Sequence, residues 1–263
     1  MKAIHPATPD DETLAALLGY QEEVERQTDY PSKVNKAGEL WDTRCNSAVF
    51  ARLRGVLLQM CTEEQCMYCE RSVANQLEHF QPKAFYPEVA FSWANYLFIC
   101  NPCNINKSNR FAVFSFVSGN RVDIRRKRGE SVREPEPGRP LLINPREEDP
   151  LDLLMIDLSG TGTFIPRAAL GTSDWMRAEY TATELLDLNN AGHRKARRNA
   201  YVKFTIALRE YVTARNEGRE TGKCVDMVKE SCHPGVWEAM KRDRRLIPEL
   251  LALFEAAPEA LDW

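Results

Sequence analysis

The chain has 263 residues, 43% of them hydrophobic and 28% charged, with 13 glycines and 15 prolines, a balance that excludes collagen-like, low-complexity and disordered classes. Its length suits one large domain or two modest ones, and no apolar run approaches the roughly 18 residues that a membrane span needs. The net charge of −3 gives no general attraction to nucleic acid or lipid, yet the stretch from Glu64 to Arg128 carries nine basic and five acidic residues, +4 against −7 elsewhere.

Asp10 and Asp11 precede Leu14, Leu17, Leu18 and Val24, a spacing that predicts a capped first helix. After a break at Asp29-Tyr30-Pro31-Ser32, Val49, Leu53, Val56 and Met60 predict a second helix that runs into the cysteine region. From Cys61 to Asn109 the texture turns short and turn-rich. Phe111–Val117 and Arg121–Ile124 then flank Ser118-Gly119-Asn120 as a hairpin, and Pro135, Pro137, Gly138 and Pro140 read as a stiff connector. A second strand pair is expected from Leu153–Leu158 and Thr163–Ile165. The remainder reads as helical, with Tyr201, Phe204, Leu208 and Tyr211 on one helix and Ile247, Leu250, Leu251 and Phe254 on another whose first turn holds Pro248.

Met1–Thr13 lacks the apolar stretch of a secretory signal, so a cytoplasmic chain is expected, and eight cysteines in a reducing compartment point to metal rather than to disulfides. Two pairs, Cys66 with Cys69 and Cys100 with Cys103, have the spacing that aims four thiolates at one structural Zn²⁺. The long gap between the pairs must hold a folded insert whose ends the metal ties together. Buried small thiols or a redox pair are the plainer alternatives, but two pairs at this spacing favour zinc. Cys45, Cys61, Cys224 and Cys232 have no matching partners and read as buried thiols, with Cys61 near enough to the first pair to be watched.

The gap holds Gln76-Leu77-Glu78-His79-Phe80-Gln81-Pro82-Lys83 and Asn95, and Asn104-Ile105-Asn106-Lys107 follows the second pair. A neutral imidazole deprotonates water near neutral pH, and a carboxylate with an amide oxygen holds a hydrated Mg²⁺ or Mn²⁺. These residues resemble the HNH endonuclease superfamily over the stretch from Cys66 to Asn109. The resemblance implies a ββα-metal fold in which His79 is the general base, Glu78 a ligand of the catalytic cation and Asn95 the residue that fixes the loop carrying His79. Asn104 would be the second cation ligand, on a helix beginning near it, where the family's name has His; an amide oxygen there favours Mg²⁺ or Mn²⁺ over Zn²⁺ or Ni²⁺.

Glu78–Lys83, Phe91–Asn95 and Cys103–Lys107 look closest to the PtuB group of HNH nucleases of Septu and retron-type antiphage systems. Leu142-Ile143-Asn144-Pro145, Glu148-Asp149-Pro150 and Thr183–Asn189 resemble downstream segments of that group but carry no derivable chemistry. The resemblance implies a nucleic-acid target, a PtuA-type ATPase partner and an activity silent until infection. DNA is the favoured substrate; an RNase acting on tRNA, or a non-catalytic zinc module that binds nucleic acid or protein, is the alternative.

Read singly, the same residues have blander roles: His79 as a hydrogen-bonded structural histidine, Asn95 and Asn104 as turn or cap residues, Trp41 and Trp93 as core. Lys107 and Arg110, spaced by three, are expected on one side of the helix and, with Lys83, near a phosphate path. Arg125-Arg126-Lys127-Arg128 reads equally as a solvated hairpin edge or a phosphate clamp, and His193-Arg194-Lys195 with Arg197-Arg198 reads likewise on its helix. His5, His193 and His233 show no ligand spacing.

The expected architecture is α+β and mostly helical: a helical region 1–60, a ββα-metal core 61–112, a hairpin and Pro-rich extension 113–171 and a helical region 172–263, with the helices around the core expected to dock a partner or form a homodimer face.

Overall fold

The computed structural model describes residues 1–61 and 64–263. About half of the chain is helical and three small antiparallel sheets complete an α+β fold, in which the described residues contain no helix long and apolar enough to cross a membrane.

Three helices open the chain: α1 (Asp11–Glu25), α2 (Tyr30–Arg44) and α3 (Ala48–Gln59). The Asp10 carboxylate caps α1 by accepting from the Thr13 amide at 2.8 Å, and Asp11 and Glu12 suit the positive end of the helix dipole. Asp29 caps α2 in the same way, accepting from Ser32 N at 2.8 Å with Pro31 in the first turn. The break at Asp29–Ser32 is thus also a helix start. No stripe marked α2 in the sequence because only Ala37 and Leu40 on it are buried. In α3 the buried face is Phe50, Leu53 and Leu57, rotated from the expected stripe, while Val49 and Met60 pack at its edge.

The cysteine-rich region then folds as β1 (Gln76–His79), β2 (Tyr96–Ile99) and α4 (Asn101–Lys107). β1 and β2 pair antiparallel, with Glu78 opposite Leu97 and His79 opposite Tyr96, and α4 packs on β1. Strands β3 (Phe111–Ser115), β4 (Arg121–Ile124) and β5 (Gly138–Pro140) form a sheet in the order β4-β3-β5. The expected hairpin is present. The Pro-rich connector supplies β5, an edge strand, where a missing proline amide costs no ladder bond.

Next come α5 (Pro150–Leu153), the hairpin of β6 (Leu154–Ile156) with β7 (Phe164–Pro166), and α6 (Ser173–Glu179), which continues as a π-helix over Tyr180–Leu185. Four helices finish the chain: α7 (Ala191–Asn216), α8 (Gly222–Lys229), α9 (Pro234–Asp243) and α10 (Pro248–Ala256). Phe204 and Leu208 of α7 pack with Trp237 of α9 and with Leu250 and Phe254 of α10 in one core that reaches back to Leu17, Phe50 and Leu97.

Two surface expectations are corrected. Arg197 is only 2% exposed, because its guanidinium donates to Gly162 O at 2.6 Å and Leu188 O at 2.8 Å and lies 4.2 Å above the Phe164 ring. It joins α7 to the β6–β7 turn and is not a solvated charge. Cys232 is exposed, not buried.

The segments without derivable chemistry prove to be struts. Glu148 pairs with Arg177, whose Nε donates to Pro140 O at 3.1 Å, and Asn189 brackets Phe164 by accepting from its amide at 2.8 Å and donating to its carbonyl at 3.0 Å.

β5 approaches β3 so closely that a Cβ on Gly138 would lie 2.2 Å from Phe114 O. Gly138→Ala is therefore expected to loosen this edge and cost about 2 kcal/mol, read as a lower urea midpoint with an unchanged slope.

Candidate functional site

The first cysteine pair sits on a tight turn. Glu70 N donates to Cys66 O at 2.9 Å, Glu70 takes a left-handed φ of 54°, and Cys66 N donates to Ser72 O at 2.9 Å. The turn is pinned to the sheet by Met67 N, which donates to Phe98 O at 3.2 Å. The second pair is set by α4: Cys100 is its N-cap residue, Pro102 lies in the first turn, and Cys103 follows on the same turn.

All four sulfurs are buried and lie within 4.8 Å of one another, with Cys69 and Cys100 Sγ 3.7 Å apart. Tetrahedral Zn–S bonds of about 2.3 Å put sulfurs roughly 3.8 Å apart, so the quartet fits a metal ion such as zinc. Burial pushes the Cys66 thiol up, while sulfur–sulfur hydrogen bonds push Cys103 up and hold Cys69 and Cys100 down. Cys61 stays outside the quartet, its Sγ bonded to Leu57 O at 3.3 Å and its thiol pushed up by burial to about 12.

On the hairpin, Glu78 and His79 leave β1 on opposite sides, as the strand's period of two requires. The Glu78 carboxylate turns to α4, and the His79 ring packs 4.4 Å from the Trp41 ring of α2 and 5.1 Å from Tyr96. His79 Nε2 lies 2.9 Å from Ala90 O. A carbonyl only accepts, so Nε2 carries the hydrogen and Nδ1 keeps its lone pair. Burial, reinforced by the positive charge of Lys83, holds the ring down at about 3, and it is neutral at ordinary pH.

Asn95 fixes the loop that supplies this carbonyl. Its Oδ1 accepts from Gln81 N at 2.8 Å, and its Nδ2 donates to Gln81 O and Val89 O, each at 3.0 Å. Sequence reasoning missed two further supports. Gln21 of α1 donates to Pro87 O at 3.0 Å and accepts from Phe91 N at 2.9 Å. Arg146 donates to Trp93 O and Tyr96 O, both at 2.6 Å, on either side of Asn95. Neither stands near the cysteines in sequence, and no spacing signal could have found them.

α4 begins three residues before Asn104 and ends at Lys107, which corrects the expected shared helix side for Lys107 and Arg110. Lys107 is 0% exposed: its ammonium donates to Glu78 Oε1 at 2.7 Å and to His79 O at 2.6 Å. It is an internal cation joining helix to strand, not a surface contact for phosphate. Arg110 lies beyond the helix, past Ser108 with its φ of 45°, and donates to Asn106 O at 3.2 Å and Glu184 O at 2.8 Å. Lys83 places its ammonium 5.1 Å from the centre of the Trp41 ring that covers His79.

Asn104 stands three residues before Lys107 on α4, and among the described residues its side chain makes no hydrogen bond. Glu78 keeps Oε2 free of the lysine, and its side chain is 16% exposed. One carboxylate oxygen and one amide oxygen suit a hydrated Mg²⁺ or Mn²⁺, which keeps several of its own waters.

No known family's sequence profile matches the chain, and no curated protein matches it.

Two outcomes follow. The purified chain should carry one metal ion, read by elemental analysis, that Cys66→Ser or Cys103→Ser loses and Cys61→Ser retains. Lys107→Met should cost about 3 kcal/mol in chemical denaturation, because it leaves the Glu78 carboxylate largely buried without a partner.

Proposed function

We propose that the chain is a metal-dependent endonuclease of the HNH type that hydrolyses phosphodiester bonds in nucleic acid, DNA before RNA. The observation that carries this reading is the His79 ring with Nε2–H committed to Ala90 O and Nδ1 bare, on a hairpin whose loop Asn95 holds by three hydrogen bonds. A histidine with its hydrogen on the far nitrogen is preset to take a proton.

Glu78 and Asn104 would hold the catalytic Mg²⁺ or Mn²⁺, which supplies charge neutralisation at the phosphate and the leaving oxygen. His79 takes the proton of the attacking water on Nδ1. Its low proton affinity in the free protein rises when a phosphodiester anion lies beside it, since a nearby negative charge favours the imidazolium. Ala90 O then accepts from a positively charged donor and holds the ring during transfer. Lys107 keeps Glu78 turned toward α4, and zinc on Cys66, Cys69, Cys100 and Cys103 would keep helix and hairpin in register.

The sequence resemblance to the PtuB group extends the reading: the chain is the nuclease of an antiphage system and works with a PtuA-type ATPase. Phosphate contacts without hydrogen bonds to base edges would make its cutting weakly sequence-specific.

Cleavage of supercoiled plasmid and of total tRNA, with Mg²⁺ or Mn²⁺ and with EDTA, tests the proposal alone and with the ATPase and nucleotide present. Wild type should cut in a cation-dependent way and His79→Ala should lose about 10²–10⁴-fold in rate while keeping its metal content and fold. Undiminished cutting by His79→Ala would sink the base assignment, and silence under every condition would leave a binding module. Cutting of tRNA alone would make the enzyme an RNase.

A further inference from the structure

Beyond the C-terminal end of α4 lies a cleft of about 290 Å³, walled by the rings of Phe85, Phe111 and Tyr180 and rimmed by Arg110, Arg121 and Arg126. It is larger than a phosphate ion needs and stands at the lower end of the range that small-molecule sites occupy.

Its arginines are not equivalent. Arg121 is neutralised by Glu184, which accepts from both guanidinium ends at 3.0 and 2.7 Å, and by Asp123 at 3.2 Å. Arg125, also on the rim, is paired with Asp123 at 3.3 Å. Arg110 donates only to the carbonyls of Asn106 and Glu184, and Arg126 only to Ala84 O at 3.3 Å. Among the described residues neither has a carboxylate within 4.0 Å, so two uncompensated charges meet one partly apolar cleft. Arginine fits phosphate oxygens through a fork of donors, and its weak hydration makes that exchange cheap.

Two backbone features lie at the same place. The π-helical turn Tyr180–Leu185 puts Tyr180 in the wall, its ring 5.1 Å from Arg121, and sets the Glu184 carbonyl on Arg110 and the Glu184 carboxylate on Arg121. Such turns are rare and concentrate at functional sites. Ser108, also in the lining, has a φ of 45° and a ψ of −138°, a strained conformation for a residue with a side chain. The cleft adjoins the hairpin, since Phe111 packs edge-on at 5.7 Å against Phe80, the residue after His79.

We propose that this cleft holds one nucleotide unit of the strand being cut, next to the scissile bond, with its phosphate on Arg110 and Arg126 and its base against the aromatic wall. The proposal rests on the nuclease reading for the identity of the strand, not for the binding itself.

Binding of short, 5′-labelled single-stranded DNA and RNA, followed by fluorescence anisotropy in EDTA over a range of salt, tests it without any cleavage. Arg110→Gln and Arg126→Gln should each weaken binding by about tenfold and lower the salt slope by about 1, with Arg126→Lys in between. Lys203→Gln, on the exposed face of α7, should bind as wild type does. Thermal melts check that each variant folds. Unchanged affinity in both Gln variants overturns the proposal. So does displacement of the strand by inorganic phosphate as readily as by a thymidine or uridine monophosphate, since the cleft would then read phosphate alone. Mononucleotide binding with no effect of either variant on the strand overturns the strand as occupant. If wild type cuts nothing while the Gln variants bind more weakly, the cleft stands and the nuclease reading falls. If wild type cuts and the Gln variants bind as tightly as wild type does, the cleft alone falls.

Discussion

Two four-residue strands and a seven-residue helix bury too little apolar surface to hold a fixed geometry by themselves. The constraint that makes them a unit is the meeting of four buried sulfurs from a turn before β1 and from the first turn of α4. A cation there would couple two points of the chain whose intervening loop would otherwise cost closure entropy, and would set where α4 starts. Everything on the β1-facing side of that helix inherits this setting. Lys107 is the second tie, bringing a full positive charge under the strand and using it on one carboxylate and one carbonyl. Removing an ammonium from water is justified only when both partners are met at short range, and here they are.

Around this unit the rest of the fold acts as a brace for one loop. The backbone from Phe80 to Asn95 has little regular structure, so its polar groups need side-chain partners. They come from distant regions: Gln21 on α1, Tyr30 on α2 to Phe85 O, Arg146 from the strut before α5, and Asn95 from within. Ala90 O receives two donors, His79 Nε2 and the Tyr96 hydroxyl at 2.8 Å, and so is held from two sides. The helices on either side of the hairpin thus contribute few reactive groups and much of the positional precision.

What the sequence made legible follows from how local each signal is. The cysteine pairs, the Asp10 cap, the two hairpins and the helix stripes of α7 and α10 depend on residues a few positions apart, and all are present. Lys107 was misplaced because a seven-residue helix closed by a left-handed Ser108 shows too little periodicity to say which side faces inward. Arg197 reads equally as a solvated charge or a phosphate clamp because nothing near it in the chain announces the Gly162 and Leu188 carbonyls that bind it. α2 hid for the opposite reason: its start signal was read as a stop, since Asp-X-Pro serves both. Arg146 and Gln21 are invisible in one dimension because their partners are backbone atoms, which carry no residue identity.

One long-range contact bears on how such a chain is made. Glu70 follows Cys69 directly, and its Oε2 accepts from Gly235 N at 3.1 Å, across a separation of 165 residues. α9 therefore closes behind the first cysteine turn, and a Cβ at Gly235 would already collide with the Glu70 carboxylate at 2.8 Å. On a ribosome adding roughly 5–20 residues per second, that latch arrives on the order of 10–30 s after the turn itself has emerged. During this interval the growing polypeptide has its cysteines but lacks the backing that seats them. The first cysteine turn is therefore fully backed only once the segment that carries Gly235 has been made and has folded against it.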